Sequence, residues 1–128
     1  MFLLDTNIWL EVMLGQERAD EAGRFMKSRP VEQLHITDFS LHSIGVILTR
    51  LKRLATLRDF IADINTIQVL RLPLDQLRLL PAISNRFRLD FDDAYQYAAA
   101  RSLGLQFLSF DSDFDRTDLV RKTPRELL

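Results

Sequence analysis

The chain has no cysteine among its 128 residues, and this absence excludes disulfides, thiolate metal sites and cysteine nucleophiles. Only four glycines and four prolines interrupt it, so we expect short loops and many helices. No apolar stretch is long enough to span a bilayer, so we expect no membrane association. The first apolar run meets Asp5 at once, which is unlike a signal peptide.

Neither sign of charge dominates, since 17 basic residues face 18 acidic ones and the net charge is −1. A protein that holds nucleic acid through charge alone would be strongly basic, so this class is disfavoured. An enzyme acting on RNA remains possible, because a metal ion can bring positive charge to an acidic centre. With 47% hydrophobic residues, we expect one globular domain over residues 1–128 with an ordinary core.

Apolar periodicity predicts strands that alternate with helices along the chain. The predicted strands are residues 2–5, 34–37, 67–72 and 106–110, with a short edge strand at 119–122. The predicted helices are residues 7–14, 16–28, 38–51, 56–65, 75–87 and 91–103. Pro81 should break or kink the helix that contains it. This order predicts an α/β fold, with a mostly parallel central sheet of four to five strands covered on both faces.

Three aspartates stand at element ends, far apart in sequence. Asp5 ends the first strand, Asp111 ends the fourth, and Asp93 opens a helical segment. In α/β folds the carboxyl ends of the strands line the ligand crevice. Carboxylates gathered there repel one another unless a hard cation lies among them. The sequence therefore predicts a Mg²⁺ or Mn²⁺ site that handles phosphodiesters.

Each acid also has a structural interpretation. Asp5 is suited to capping the helix that follows it, and Asp93 to the first turn of a helix, where the dipole favours negative charge. Asp111, Asp113 and Asp115 could simply form turns. The ordered set favours a functional interpretation of Asp5, Asp93 and Asp111. For Asp113 the two interpretations are balanced, and for Asp115 the turn is favoured.

Three motifs carry a resemblance to a known family. They are LLDTN at residues 3–7, an Asp-Ala pair at residues 93–94, and SFDSDF at residues 109–114. Together with the chain length and element order, they resemble the PIN domain, and in particular the VapC-type ribonuclease toxins of toxin–antitoxin pairs. The resemblance covers essentially the whole chain and implies a three-layer α/β/α fold. It implies a metal-dependent endoribonuclease with an RNA substrate, working as a cytoplasmic homodimer silenced by a cognate antitoxin.

The resemblance also assigns roles to the acids. Asp5 and Asp93 match direct ligands of Mg²⁺ or Mn²⁺. Asp111 matches an acid that binds a second ion or orients water. Asp113 would hold a bound water or serve as an alternative ligand.

Five further residues are candidates for contacts with the substrate. Asn7 and Ser109 match small polar positions that line the family's site, and could hydrogen-bond a phosphate, a ligand carboxylate or water. Arg86, Arg88 and Arg116 lie next to the acidic segments in sequence and are candidates for phosphate contacts.

One position departs from the family pattern. The family usually has a glutamate in the helix after the second strand, and that position falls here on Ser43, or on His42 in a shifted alignment. Four nearby acids could compensate, namely Asp38, Asp90, Asp92 and Asp113. The departure supports a second hypothesis, a degenerate PIN domain that binds RNA or a protein partner without cleaving. A phosphatase-like or nucleotide-binding α/β domain is disfavoured, because no glycine-rich phosphate loop is present.

Overall fold

A single parallel sheet organises the chain in the computed structural model, which describes residues 1–128. The strands are β1 (Phe2–Leu4), β2 (Leu34–Thr37), β3 (Gln68–Leu70), β4 (Gln106–Leu108) and β5 (Arg121–Lys122). Their order in the sheet is β3-β2-β1-β4-β5, and every neighbouring pair is parallel. The predicted mostly parallel sheet is thus confirmed, with five strands and no antiparallel pair.

Seven α-helices connect and cover the strands. They are α1 (Thr6–Met13), α2 (Ala19–Ser28), α3 (Asp38–Arg50), α4 (Leu54–Asp63), α5 (Leu74–Leu77), α6 (Leu80–Phe87) and α7 (Phe91–Leu103). The helix predicted at residues 75–87 is divided into α5 and α6. Pro81 lies in the first turn of α6, where its missing N–H removes no intrahelical hydrogen bond.

The central strands β1 and β2 are buried on both faces, and alternate residues of β1 enter two separate cores. Phe2 and Leu4 join a cluster that includes residues from each of α1 to α4. Leu3 joins the other cluster, which contains residues of α6 and α7. Helices on both sides of a parallel sheet explain why its strands are apolar runs without alternation. This is the three-layer α/β/α fold that the sequence predicted.

The carboxyl ends of β1 and β4 lie side by side and place polar residues next to one another. Leu4 of β1 is paired with Leu108 of β4, so Asp5 and Ser109 follow at the same edge of the sheet. The backbone N–H of Asp5 donates to the carbonyl oxygen of Leu108 over 2.9 Å and fixes this alignment. None of the helices combines the length and apolar character needed to cross a membrane.

Candidate active site

Asp5 is a buried carboxylate that receives four hydrogen bonds. Oδ1 accepts from the backbone N–H of Thr6 at 2.7 Å and from Nε2 of Gln96 at 3.3 Å. Oδ2 accepts from the hydroxyl of Ser109 at 2.6 Å and from Nδ2 of Asn7 at 3.2 Å. Burial raises the pKa of Asp5 to about 6, although the hydrogen bonds from Ser109 and Thr6 oppose the rise.

Asn7 and Ser109, both predicted site residues, contact the carboxylate of Asp5 and each other. Nδ2 of Asn7 lies 3.2 Å from Oγ of Ser109, and Oδ1 of Asn7 accepts from the backbone N–H of Phe110. Oγ of Ser109 also accepts from the backbone N–H of Asp111 at 2.9 Å. These bonds tie the start of α1 to the segment after β4, so they hold Asp5 and Asp111 on the same side of the sheet.

Gln96 is a site residue that the sequence interpretation missed. It lies on α7, its side chain is buried, and Nε2 donates to Asp5 and to the hydroxyl of Ser40. Ser40 in turn shares hydrogen bonds with the hydroxyls of Thr6 and Thr37. The available clue was a polar residue three positions after Asp93, inside an otherwise apolar helical run, which places both residues on one helix face.

Asp93 stands in the first turn of α7, half-buried and surrounded by negative charge. Its pKa is raised to about 7, first by burial and then by the charges of Asp92, Asp5 and Asp111. One carboxylate oxygen from each of Asp93, Asp111 and Asp113 lie within 4.8 Å of one another. Three of the four predicted acids are therefore drawn together although they come from two distant segments of the chain.

A pocket of about 290 Å³ joins two of these three acids to Asp5. Asp5, Asp93 and Asp111 all line it, together with Asp92 and Asn7. Ser43, the first of the two positions expected for the family's glutamate, lines the same pocket, whereas His42, the second, lines a neighbouring groove. Of the acids considered as compensation for that glutamate, Asp92 lines this pocket and Asp113 belongs to the carboxylate cluster. Asp90 groups with Asp92 and Asp93, and Asp38 lies in a neighbouring groove.

The donor set fits a hard divalent cation. The pocket offers carboxylate, hydroxyl and two amide oxygens, which are the kind of ligand that Mg²⁺ and Mn²⁺ prefer, and no histidine, cysteine or methionine lines it. Burial and neighbouring carboxylates raise the pKa values of Asp5 and Asp93, so both charged forms are disfavoured. A cation among them would stabilise the charged carboxylates. On this chemistry, Asp93, Asp111 and Asp113 are the residues placed to hold an ion, with Asp5 beside them.

Two of the acids cap helices as well as lining the site. Asp5 is the N-cap of α1, and its Oδ1 accepts from the N–H of Thr6. Asp111 caps the 3-10 turn Ser112–Arg116 and accepts from the N–H of Asp113 at 2.9 Å. The structural and the functional interpretation of these acids are thus compatible, and a cap alone is no argument against a role in the site.

The three arginines that the sequence suggested for phosphate contacts lie outside the pocket. The guanidinium of Arg116 donates to the backbone oxygens of Phe87 and Arg88, at 3.1 and 2.6 Å, and lies 3.5 Å from Asp113. The guanidinium of Arg86 lies over the ring of Phe87. Arg88 is exposed and has a left-handed backbone conformation. Their contact with phosphate stays a prediction.

An α/β/α fold with a carboxylate pocket at the carboxyl edge of a parallel sheet defines a class of protein, and family comparison gives it a name. The family model described as the PIN domain matches residues 2–120. The chain belongs to the PIN domain family. A comparison with curated proteins finds no match.

Solved structures share this fold over nearly their whole length. A toxin–antitoxin complex from Klebsiella pneumoniae is 20% identical, covers 97% of this chain and 98% of that one, and has a TM-score of 0.78. VapC20 of Mycobacterium tuberculosis, described as a sarcin-ricin loop cleaving toxin, is 22% identical over 94% and 97%, with a TM-score of 0.81. VapBC-1 from nontypeable Haemophilus influenzae is 20% identical over 97% and 98%, with a TM-score of 0.71. At such identities the likeness establishes the fold.

Proposed function

We propose that this chain is a divalent-metal-dependent endoribonuclease, the toxin of a type II toxin–antitoxin pair, with one PIN domain over residues 1–128. The observation that carries the proposal is the convergence of Asp5, Asp93 and Asp111 on one pocket of a PIN domain. Structures of the same fold support the toxin role, since one is described as a toxin–antitoxin complex and another as a sarcin-ricin loop cleaving toxin. A cytoplasmic homodimer held inactive by an antitoxin completes the proposal.

The acids divide the work of the site between them. Asp93, Asp111 and Asp113 would hold Mg²⁺ or Mn²⁺, because their oxygens already lie within 4.8 Å of one another. When bound, the ion supplies an activated water and offsets the charge of the phosphodiester. Asp5 is the fourth acid of the site, and its hydrogen bonds with Ser109, Asn7 and Gln96 fix its carboxylate before substrate arrives.

Polar residues around the acids would position the RNA strand. Asn7 lines the pocket and can contact the strand directly, whereas Ser109 is fully buried and acts by holding the carboxylate of Asp5. Arg86 and Arg88 are exposed, and Arg116 bridges them to the acidic segment through its bond to the Arg88 carbonyl. In this proposal the three guanidinium groups offset charge on phosphates that flank the one being cleaved.

The test is cleavage of a mixed-sequence RNA with Mg²⁺, with Mn²⁺ and with chelator. Asp93→Asn and Asp111→Asn are the site variants, and Asp75→Asn, an exposed acid on α5, is the matched control. We expect metal-dependent cutting that both site variants reduce by at least ~100-fold and the control leaves unchanged. Cutting that survives in chelator, or in both site variants, would contradict the metal-dependent mechanism.

A second function is favoured by one observation, the hydroxyl of Ser43 in the pocket where the family carries a glutamate. A PIN domain with a weakened metal site would bind RNA or a protein partner without cutting. The two proposals separate in one assay. Retention of RNA by a folded native chain, with no product under any metal, favours the binding function, whereas product formation excludes it.

A further inference from the structure

A groove of about 420 Å³ adjoins the acidic pocket on the outer face of α3. Its own walls come from α3 and α7, and are formed by Asp38, Phe39, His42, Val46 and Tyr95. Ser43 and Ile47 line both the groove and the acidic pocket, so the two cavities lie side by side. If the phosphate of an RNA strand lies at the acids, a neighbouring nucleotide of that strand can therefore enter this groove.

The apolar side of the groove carries the rings of Phe39 and Tyr95, and Phe91 packs against both just outside the lining. The ring of Phe39 lies 5.6 Å from that of Tyr95 and 5.7 Å from that of Phe91, measured between centroids. Phe91 is 55% exposed, although a large aromatic side chain is normally buried. Proteins that bind single-stranded RNA commonly stack its unpaired bases on aromatic side chains of this kind.

The polar side of the groove is a fixed hydrogen-bond acceptor. Oδ1 of Asp38 accepts from the hydroxyl of Tyr95 at 2.6 Å and from the N–H of Phe39 at 2.8 Å. The Tyr95 hydroxyl itself accepts from the N–H of Leu72, which holds the ring in place. Oδ2 of Asp38 receives no hydrogen bond from the protein, so it is available to a ligand.

Resting on the proposed ribonuclease function, we propose that this groove is a nucleobase subsite that selects a base with an amino group, guanine foremost. No lysine or arginine lines the groove and a carboxylate does, so it suits a base and repels a phosphate. Guanine presents two adjacent N–H donors that can both reach the free Oδ2 of Asp38, whereas cytosine and adenine present one amino group. Uracil places carbonyl oxygens on both sides of its only N–H, so it would be disfavoured.

The test maps the cleaved bonds in a randomised RNA by sequencing the fragment ends. The native chain should enrich guanine over uracil at one fixed position beside the cut by about five-fold or more. Asp38→Asn, which keeps the shape and the bond from Tyr95, should reduce that ratio below about two-fold. Phe39→Leu should lower cleavage at all sites without reversing the preference. Thr49→Ala, exposed on α3 outside the groove, is the control.

A base preference that Asp38→Asn leaves intact would overturn the proposal, as would the absence of any preference in the native chain. If the native chain cuts no RNA, the ribonuclease proposal fails, and the groove is then tested on its own by titrating guanosine and uridine into labelled protein. Amide shifts around Phe39 and His42, stronger with guanosine, support the subsite. The absence of any shift there would overturn it. So would shifts at the same residues on dilution without nucleoside, because they would show that a second copy of the chain covers the groove.

Discussion

Ser43 is an uncharged residue in the lining of the acidic pocket, so it adds no negative charge there. Its hydroxyl lines the same cavity as Asp5 and Asp93, so a carboxylate at this position would face both. Adding negative charge to a site that already raises the pKa of Asp93 to about 7 would increase repulsion without metal and attraction with it. The position thus balances the stability of the metal-free protein against its affinity for cations.

Ser43→Glu should therefore bind Mn²⁺ more tightly than the native chain, by roughly ten-fold, because a further carboxylate joins the donor set. The same variant should unfold at lower urea concentration in chelator. Calorimetric titration and urea unfolding measure the two effects, with Ser43→Ala as the control. An affinity equal to that of Ser43→Ala would show that this side chain does not reach the ion.

Gln96 positions Asp5 through a single amide. Its Nε2 is committed to Asp5 and Ser40, while its buried Oε1 has no hydrogen-bond partner in the protein. An unpartnered buried oxygen costs stability, so the benefit of this side chain lies in the orientation that it gives to the carboxylate. An apolar residue would remove both the cost and the benefit.

Gln96→Met should lower Mn²⁺ affinity by roughly ten-fold, as expected when the carboxylate of Asp5 beside the ion loses a supporting hydrogen bond. The free energy of unfolding should change by less than about 1 kcal/mol, because the lost donor bonds are offset by removal of the orphan oxygen. Gln68→Met, on an exposed strand position, is the matched control. Unchanged affinity with reduced stability would instead assign Gln96 a purely structural role.

The turn between α6 and α7 sets where α7 begins, and so where Asp93 in its first turn lies. α6 ends at Phe87, and its C-cap, Arg88, has a left-handed conformation with φ of 55°. Arg116 donates to the backbone oxygens of Phe87 and Arg88 and so joins this turn to the 3-10 turn that carries Asp113. Sequence adjacency suggested phosphate contacts for these arginines. Hydrogen bonds to a distant backbone could not be foreseen, because they depend on how the turns pack.

Arg88→Gly should stabilise the protein by about 0.5–1 kcal/mol, since glycine adopts the left-handed conformation without strain. Urea unfolding measures this, and Arg88→Ala, which keeps the strain, is the control that should gain nothing. RNA cleavage by Arg88→Gly tests the proposed phosphate contact separately. A stability loss would show that the arginine side chain contributes contacts that outweigh its backbone strain.

Over the whole molecule, the sequence located the acids better than it located their supporting residues. Asp5 and Asp111 could be placed together, because parallel strands end at the same edge of the sheet. Ser40 and Gln96 could not, because their meeting with Asp5 requires the packing of α3 and α7 against the sheet edge. The fold followed from element order, and the local network follows from tertiary contacts.

Stability should depend on pH through the same acids. The pKa of Asp5 is raised from 3.8 to about 6, and that of Asp93 from 3.8 to about 7. The metal-free folded protein therefore holds more protons than the unfolded chain in this range. The stability these two groups contribute is complete below about pH 4 and is lost as pH rises through 6 and 7.

In chelator, Asp93→Asn should match the native melting temperature more closely at pH 5 than at pH 8. At pH 8 it should exceed the native value by roughly 4 °C, allowing for solvent screening at this half-buried group. Mg²⁺ should raise the melting temperature of the native chain at pH 8, with little effect at pH 5 or on the variant. Thermal scans measure all three. A difference between variant and native that does not grow with pH would contradict the titration.

Asp5 both caps α1 and lines the acidic pocket. This double role affects which acids should be lost first by substitution when selection for activity is relaxed. On the proposed function, losing Asp5 would remove a helix cap as well as activity, whereas losing Asp93 would relieve repulsion and remove activity alone. A lineage that no longer needs catalysis should therefore shed Asp93 early and keep Asp5 for long afterwards. Among relatives that have lost the proposed activity, Asp5 would then be retained for folding. The presence or absence of Asp93 would be the better indicator of activity.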